Sequence, residues 1–184
     1  DFENVVLVGI VDADQSLYHS DYRSTERTFQ LITQVAGRAG RSENEGKVIL
    51  QTYSPRHYVY KFASNYDYKG FFRKEENIRQ TAQFPPFTRI LRILFSDHDE
   101  NYVRELLKMC YTEIEGLKSK YGNDIIYLDA MKSPIKRIQD KYRYQIMMRF
   151  NLDKADQIEN DVFEIVDRIS KTSVFFEVNP QNLS

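Results

Sequence analysis

Two adjacent prolines in QFPPF, residues 83–87, constrain this chain more than any other feature. Neither Pro85 nor Pro86 can donate a backbone hydrogen bond, and each pushes the residue before it toward an extended conformation. A break is expected there. The 184 residues exceed the usual single-domain size of about 100 to 150, so the sequence is read as two domains, 1–86 and 87–184.

Before the prolines, Val5–Val11 is continuously apolar and largely β-branched, the pattern of a strand buried on both faces of a parallel sheet. Phe29, Ile32 and Val35 then recur at helical spacing, with Ser24 available as N-cap and Gly37 as a stop. KVILQTY follows as a second strand, giving the strand, helix, strand unit of α/β folds. Residues 55–82 read as two helical pieces that start near Pro55 and Asp67.

After the prolines, Arg89–Phe95 reads as a strand and Val103, Leu106, Cys110, Ile114 and Leu117 as a helical stripe closed by Gly122. Ile125–Met131 is a second strand, SPIKRIQD a connection and KYRYQIMMRF a third strand. Ala155, Ile158, Val162, Ile165 and Ile169 mark another helix, and SVFFEV a last strand. The order β-α-β-β-α-β is that of an α+β, ferredoxin-like split βαβ domain with helices on one face of an antiparallel sheet.

Composition narrows the function classes. Hydrophobic residues make up 41% and charged residues 29%, as in ordinary globular proteins. The net charge of −1 provides no global field for nucleic acid, so any such binding needs a local basic patch. Cys110 is the lone cysteine, which rules out an internal disulfide and any site built on several thiolates. His19, His57 and His98 show no metal spacing, so no metal site is expected in the chain. No apolar run approaches the roughly 18 residues of a membrane span, and a cytoplasmic location is the expectation. The chain opens on Asp1 and enters an apolar run within five residues, as expected of a piece of something longer.

Three stretches could carry chemistry. In TQVAGRAGR, Arg38 and Arg41 each follow a glycine, Gly37 or Gly40, and Gln34 lies one helical turn ahead. Planar guanidinium forks match phosphate oxygens, and glycines permit positive φ and close backbone approach. The same pattern fits a helix that simply ends in glycine with two solvated arginines. Asp12 and Asp14 close the first strand, as a magnesium-holding carboxylate does in P-loop enzymes or as loop-shaping residues do. No G-x-x-x-x-G-K-[ST] is present. In KYRYQIMMRF, Tyr142, Tyr144, Ile146, Met148 and Phe150 are expected to face the helices. Lys141, Arg143, Gln145 and Arg149 then lie on the opposite face. With Lys132, Lys136 and Arg137 they make either a basic surface for phosphates or an acidic peptide, or a solvated sheet face. Tyr58, Tyr60, Tyr66 and Tyr68 are read as packing residues that could alternatively stack on bases.

DFENVVLVGIVDADQSLYHSDYRSTERTFQLITQVAGRAGR resembles the end of the second, RecA-like motor lobe of superfamily 2 helicases. DYRSTER, QTYSPRH, PPF and KYRYQ narrow the resemblance to the primosomal protein N′ (PriA) family of bacterial replication-restart helicases. The resemblance implies a cytoplasmic, ATP- and Mg2+-dependent 3′–5′ DNA helicase that assembles the primosome at stalled forks. Gln34, Arg38 and Arg41 match that family's last helicase motif, with Arg38 and Arg41 as arginine fingers and Gly37, Gly40, Asp12 and Asp14 near the nucleotide. The family's phosphate-binding loop, DExH strand and zinc-binding cysteines do not occur in this chain, so ATP hydrolysis by it alone is not expected. For the C-terminal domain the resemblance implies contact with branched or single-stranded DNA and with the acidic tail of single-stranded DNA-binding protein. The family's R-x-x-x-Q pair for that tail falls on Lys141 and Gln145, lysine replacing arginine. An interaction module acting through this sheet, or another superfamily 2 repair motor, are the alternative readings.

Overall fold

The computed structural model describes residues 5–18, 21–39, 46–170 and 174–180. The chain divides into two compact units, residues 1–78 and 79–184. The cut falls inside a helix ahead of the proline pair.

In the first unit, β1 (Leu7–Ile10) and β2 (Lys47–Leu50) pair in parallel around α1 (Ser24–Ala36). The strand, helix, strand order is the one the apolar pattern predicts. Burial on both faces is not observed. Val6, Leu7, Val11 and Ile49 are exposed, because each strand has one neighbour in a two-stranded sheet and α1 covers a single side. Ser24 is the first helical residue rather than the cap, and its N–H donates to Asp21 O. Gly37 ends α1 with φ −65°, so the left-handed stop expected of a glycine is not used.

Helices α2 (Tyr58–Ser64) and α3 (Tyr68–Thr81) complete this unit. His57 caps α2 by accepting the Val59 N–H on Nδ1, and Asp67 starts α3 by accepting the Gly70 N–H. Phe29, Ile32, Val59, Ala63 and Phe71 form a small core, with the Phe29 and Phe71 rings stacked at 4.3 Å.

The second unit runs β3 (Thr88–Asp97), α4 (Glu100–Gly116), α5 (Lys118–Tyr121), β4 (Ile125–Ile138), β5 (Lys141–Asn151), α6 (Ala155–Ile169) and β6 (Val174–Val178). Its sheet is antiparallel, in the order β4-β5-β3-β6. Alternate residues Leu91, Ile93, Phe95, Ile146, Met148 and Phe150 meet Val103, Leu106, Cys110 and Ile114 of α4 and Ile158, Val162 and Val166 of α6 in one core. Asp99 caps α4 by accepting the Asn101 and Tyr102 N–H groups. Gly122, at φ 54°, closes α5 rather than α4.

SPIKRIQD differs from the sequence expectation: its first six residues, 133–138, are the last part of β4, and only its last two form the connection. Pro134 is tolerated there because β4 is an edge strand and the β4–β5 register shifts between Lys132 and Arg137. The turn shrinks to Gln139 and Asp140, both at positive φ (49° and 61°), as in the two-residue hairpins of twisted strands.

Candidate functional site

Gln34 sits on the last turn of α1 and Arg38 just beyond its end, both exposed. The Arg38 N–H donates to Val35 O, which continues the helical path and holds the arginine at a fixed phase to the helix. Gly40 and Arg41 lie outside the described residues. Gly37 is exposed, and a Cβ there would meet Thr33 O at 3.3 Å.

Asp12 and Asp14 diverge. Asp12 is exposed at φ 50°, a conformation aspartate tolerates. Asp14 is buried, and three donors converge on its carboxylate: Thr52 Oγ1 at 2.8 Å, Tyr53 N at 2.6 Å and Tyr60 Oη at 2.9 Å. Burial alone would raise its pKa, but the bonds from Tyr53 N–H, Thr52 and Tyr60, with His57 nearby, hold it below the ordinary carboxylate value. Asp14 therefore joins the loop after β1 to the segment after β2. Burial and the bond to Asp14 push the Tyr60 hydroxyl up to about 12. Glu75 is a second buried carboxylate, accepting from Thr25 Oγ1 at 2.9 Å and Tyr58 Oη at 2.7 Å. Glu75 stands in the charged run RKEEN and Asp14 in the polar DADQS, so nothing in the sequence set either hub apart from a solvated carboxylate. Tyr58 and Tyr60 thus serve packing and hydrogen bonding, whereas Tyr66 and Tyr68 are exposed.

In the second unit the basic residues fall in two places. Lys136, Arg137 and Lys141 are exposed on the β4–β5 hairpin, where Arg137 pairs with Asp140 at 3.1 Å and stacks over Tyr142 at 5.0 Å. Lys132 is drawn to Glu100 at 3.2 Å, which also accepts the Tyr144 hydroxyl at 2.6 Å. Arg143 is half-buried on β5. Gln145 and Arg149, expected on an open face, are not on one. Gln145 is 1% exposed and Met147 is buried beside it.

The face away from the helices is lined there by Phe84, Tyr127, Met131, Gln145, Met147 and Arg149 around a cavity of about 340 Å³. The Arg149 guanidinium lies 4.6 Å from the Phe84 ring, and burial lowers its pKa. Among the described residues, neither Gln145 Oε1 nor Arg149 Nε has a hydrogen-bond partner. Phe84 comes from the residue before the proline pair, which is why strand alternation alone could not show this wall.

Cys110 is fully buried, and burial pushes its thiol up to about 11. Among the described residues no group of three or more His, Cys, Asp or Glu could hold a metal ion, and no helix is long and apolar enough to cross a membrane.

Known proteins bear on this arrangement. The replication restart protein PriA of Bacillus subtilis is 41% identical over 150 residues, covering 82% of this chain and 18% of its own length. Those of Borreliella burgdorferi and Haemophilus influenzae are each 32% identical, covering 97% and 100% of this chain and 26% and 25% of their own. The chain thus spans about a quarter or less of these relatives. Among solved structures, a de novo designed protein, Foldit4, aligns with 50% of this chain and 94% of its own at 12% identity and a TM-score of 0.38, too low to bear on fold or function. Residues 80–181, nearly the whole second unit, match the family described as the primosomal protein N C-terminal domain, and with these relatives they establish that the chain belongs to the PriA family.

Proposed function

We propose that this chain is the C-terminal part of an ATP-dependent 3′–5′ DNA helicase that recognises stalled forks and restarts replication by primosome assembly in the bacterial cytoplasm. Family membership supports the restart role. Residues 1–78 are read as part of a RecA-like second motor lobe, supported by the parallel β1–β2 pair around α1. Exposed Gln34 and Arg38 at the end of α1 fit a phosphate-facing role, with Arg41 beyond them in the sequence. ATP bound with Mg2+ supplies the phosphoryl group. Arg38 and Arg41 offer it fixed positive charge, worth about 10³ to 10⁵ in rate for an arginine finger. Asp14, whose carboxylate already accepts three internal bonds, is assigned no Mg2+ role, and zinc belongs to parts of the family's sequence outside this chain. In the full-length protein, Arg38→Ala and Arg41→Ala are expected to cut DNA-stimulated ATPase at least a hundredfold with DNA affinity kept. Normal turnover in both would remove the assignment.

Residues 79–184 are read as a ferredoxin-like binding domain, a reading the strand order β4-β5-β3-β6 supports. It contacts branched or single-stranded DNA and the acidic tail of single-stranded DNA-binding protein. The observation that carries this is the hairpin, which puts Lys136, Arg137 and Lys141 in solvent on a chain of net charge −1. A titration of the chain with single-stranded oligonucleotide at several salt concentrations tests it. Lys136→Glu with Arg137→Glu should weaken binding and flatten the slope of log K against log salt by about 1.4, two single-strand phosphate contacts. An unchanged slope would place the DNA elsewhere.

A further inference from the structure

We infer that the corner between α2 and α3 is a base-stacking site for single-stranded nucleic acid, in which Tyr66, Tyr68 and Phe72 take the faces of bases and Lys69 and Arg73 take phosphates. It goes beyond the hairpin contact proposed above and uses different residues, in the other unit.

The first observation is Tyr66. Its N–H donates to Ala63 O at 3.1 Å and the Asp67 N–H donates to Phe62 O at 2.9 Å, the paired bonds of a Schellman helix end. That motif holds Tyr66 at φ 50°, the left-handed position that glycine usually fills. Among the described residues, the five other non-glycine positions at positive φ carry Asp, Asn or Gln, and Tyr66 is the sole aromatic. A bulky residue there bears a backbone cost that burial of its ring could offset, yet Tyr66 is 59% exposed. Glycine would serve the fold better, so the role of this ring lies outside the fold.

The first two turns of α3 repeat the pattern. Tyr68 and Phe72 are neighbours four residues apart, 62% and 50% exposed, with ring centroids 6.2 Å apart and planes tilted by 37°. The core is filled instead by Phe71, stacked on Phe29. On the next row lie Lys69 and Arg73, both exposed and neither paired with an acid among the described residues. Like charges four apart on a helix repel, and a cation in the first turn opposes the helix dipole, so Lys69 is held at a double cost. The acids in between do not relieve it. Asp67 accepts the Gly70 N–H at 2.8 Å, Glu75 is buried with Thr25 and Tyr58, and exposed Glu76 follows only after Arg73.

These features share one kind of partner. Exposed rings beside unpaired cations call for a ligand that presents flat π faces and negative charge in alternation. A single strand offers both at the same spacing, one base and one phosphate per residue, whereas a duplex hides its base faces in its own stack. Its phosphates would also remove the repulsion between Lys69 and Arg73. Rings and point charges read no base edges, so binding without sequence preference is expected.

The chain contains no tryptophan, so Phe72→Trp places a single indole at the site. Titration of that variant of the 184-residue chain with an oligothymidylate of about 15 nucleotides should quench the indole emission, and an abasic strand of the same length should not. Anisotropy of the labelled oligothymidylate reports affinity for the other variants. Phe72→Leu and Tyr68→Leu, which keep apolar side chains, should each weaken binding about fivefold or more and leave the slope of log K against log salt unchanged. Lys69→Gln with Arg73→Gln should flatten that slope by about 1.4. Tyr66→Gly should raise the melting temperature while weakening binding about threefold or more, a combination that a merely structural residue does not give. Unchanged affinity in Phe72→Leu and Tyr68→Leu overturns the inference, and a loss on Lys136→Glu with Arg137→Glu in the same titration then leaves the hairpin reading standing. Equal quenching and affinity with the abasic strand would mean phosphate contact without stacking and also overturn it. Indole emission that shifts with chain concentration before any oligonucleotide is added would put a second copy on this face, with the same consequence. No binding by wild type overturns both readings.

Discussion

Tyr60 shows how a buried carboxylate decides the behaviour of residues around it. Its hydroxyl donates to Asp14 at 2.9 Å inside the first unit. Tyr60→Phe removes a bond to a charged acceptor, for a loss of about 1.5 to 3 kcal/mol in the urea unfolding of that unit. The pH dependence follows from the same bond. The folded-state hydroxyl titrates at about 12, above the ordinary value of 10, so its stabilisation is complete below pH 10 and is lost as pH rises toward 12. Tyr60→Phe should flatten that alkaline decline. His57 acts at the other end of the scale. Burial lowers its pKa against the pull of Asp14 and Glu75, and neutral Nδ1 accepts the Val59 N–H. The contribution is therefore present above pH 6.5 and is lost as pH falls below it, where the unfolded chain takes up a proton first. His57→Asn keeps a capping side chain and should remove this acidic slope in stability measured from pH 7 to pH 5.

At the level of elements, the β4–β5 hairpin is the part whose shape and role are most open to engineering. Gln139 and Asp140 both occupy the left-handed region, which disfavours residues other than glycine and, to a lesser degree, asparagine or aspartate. Replacing the pair by Asn-Gly suits the turn, at the cost of an exposed Arg137–Asp140 ion pair worth under about 1 kcal/mol. Thermal unfolding of the second unit should shift upward by the equivalent of about 0.5 to 1 kcal/mol. α3 has the opposite sensitivity. A Cβ at Gly70 would collide with the Asp67 carboxylate that caps the helix and lie 2.6 Å from the Phe62 ring. Gly70→Ala is expected to cost about 1 to 3 kcal/mol despite the better helix propensity of alanine, read as a lower melting temperature of the first unit.

The same elements show what a sequence can and cannot disclose. Apolar periodicity located α1, α4 and α6, because each buries one stripe and nothing else competes for it. Asp67 was legible as a helix start because its side chain acts on its own N3 amide, a local interaction. The length of β4 was not, since Pro134 is a break anywhere but at a sheet edge and edge position is a property of the whole sheet. Gln145 and Arg149 lie on the face away from the helices, as strand alternation predicts, but that face is not open around them. Their cover comes from Phe84, distant along the chain, and strand alternation says which face a residue takes but not what lies on it.

For the whole molecule, the two units differ in how much of their apolar surface they bury for themselves. Nineteen side chains form the buried core of the second unit among the described residues, all contributed by residues 91–166. The matching core of the first has eight, while Leu7, Val11 and Ile49 of its strands are more than half exposed. A domain of about 100 residues with a continuous core is within the range that folds alone, and the family match to residues 80–181 coincides with that unit. Residues 79–184 expressed separately should therefore unfold in one cooperative thermal transition by circular dichroism. Residues 1–78 alone should melt at a lower temperature and bind an apolar dye. A higher melting temperature for residues 1–78 than for residues 79–184, or a second unit that melts without a cooperative transition, would mean that the size of the buried core does not set the relative stability of the two units.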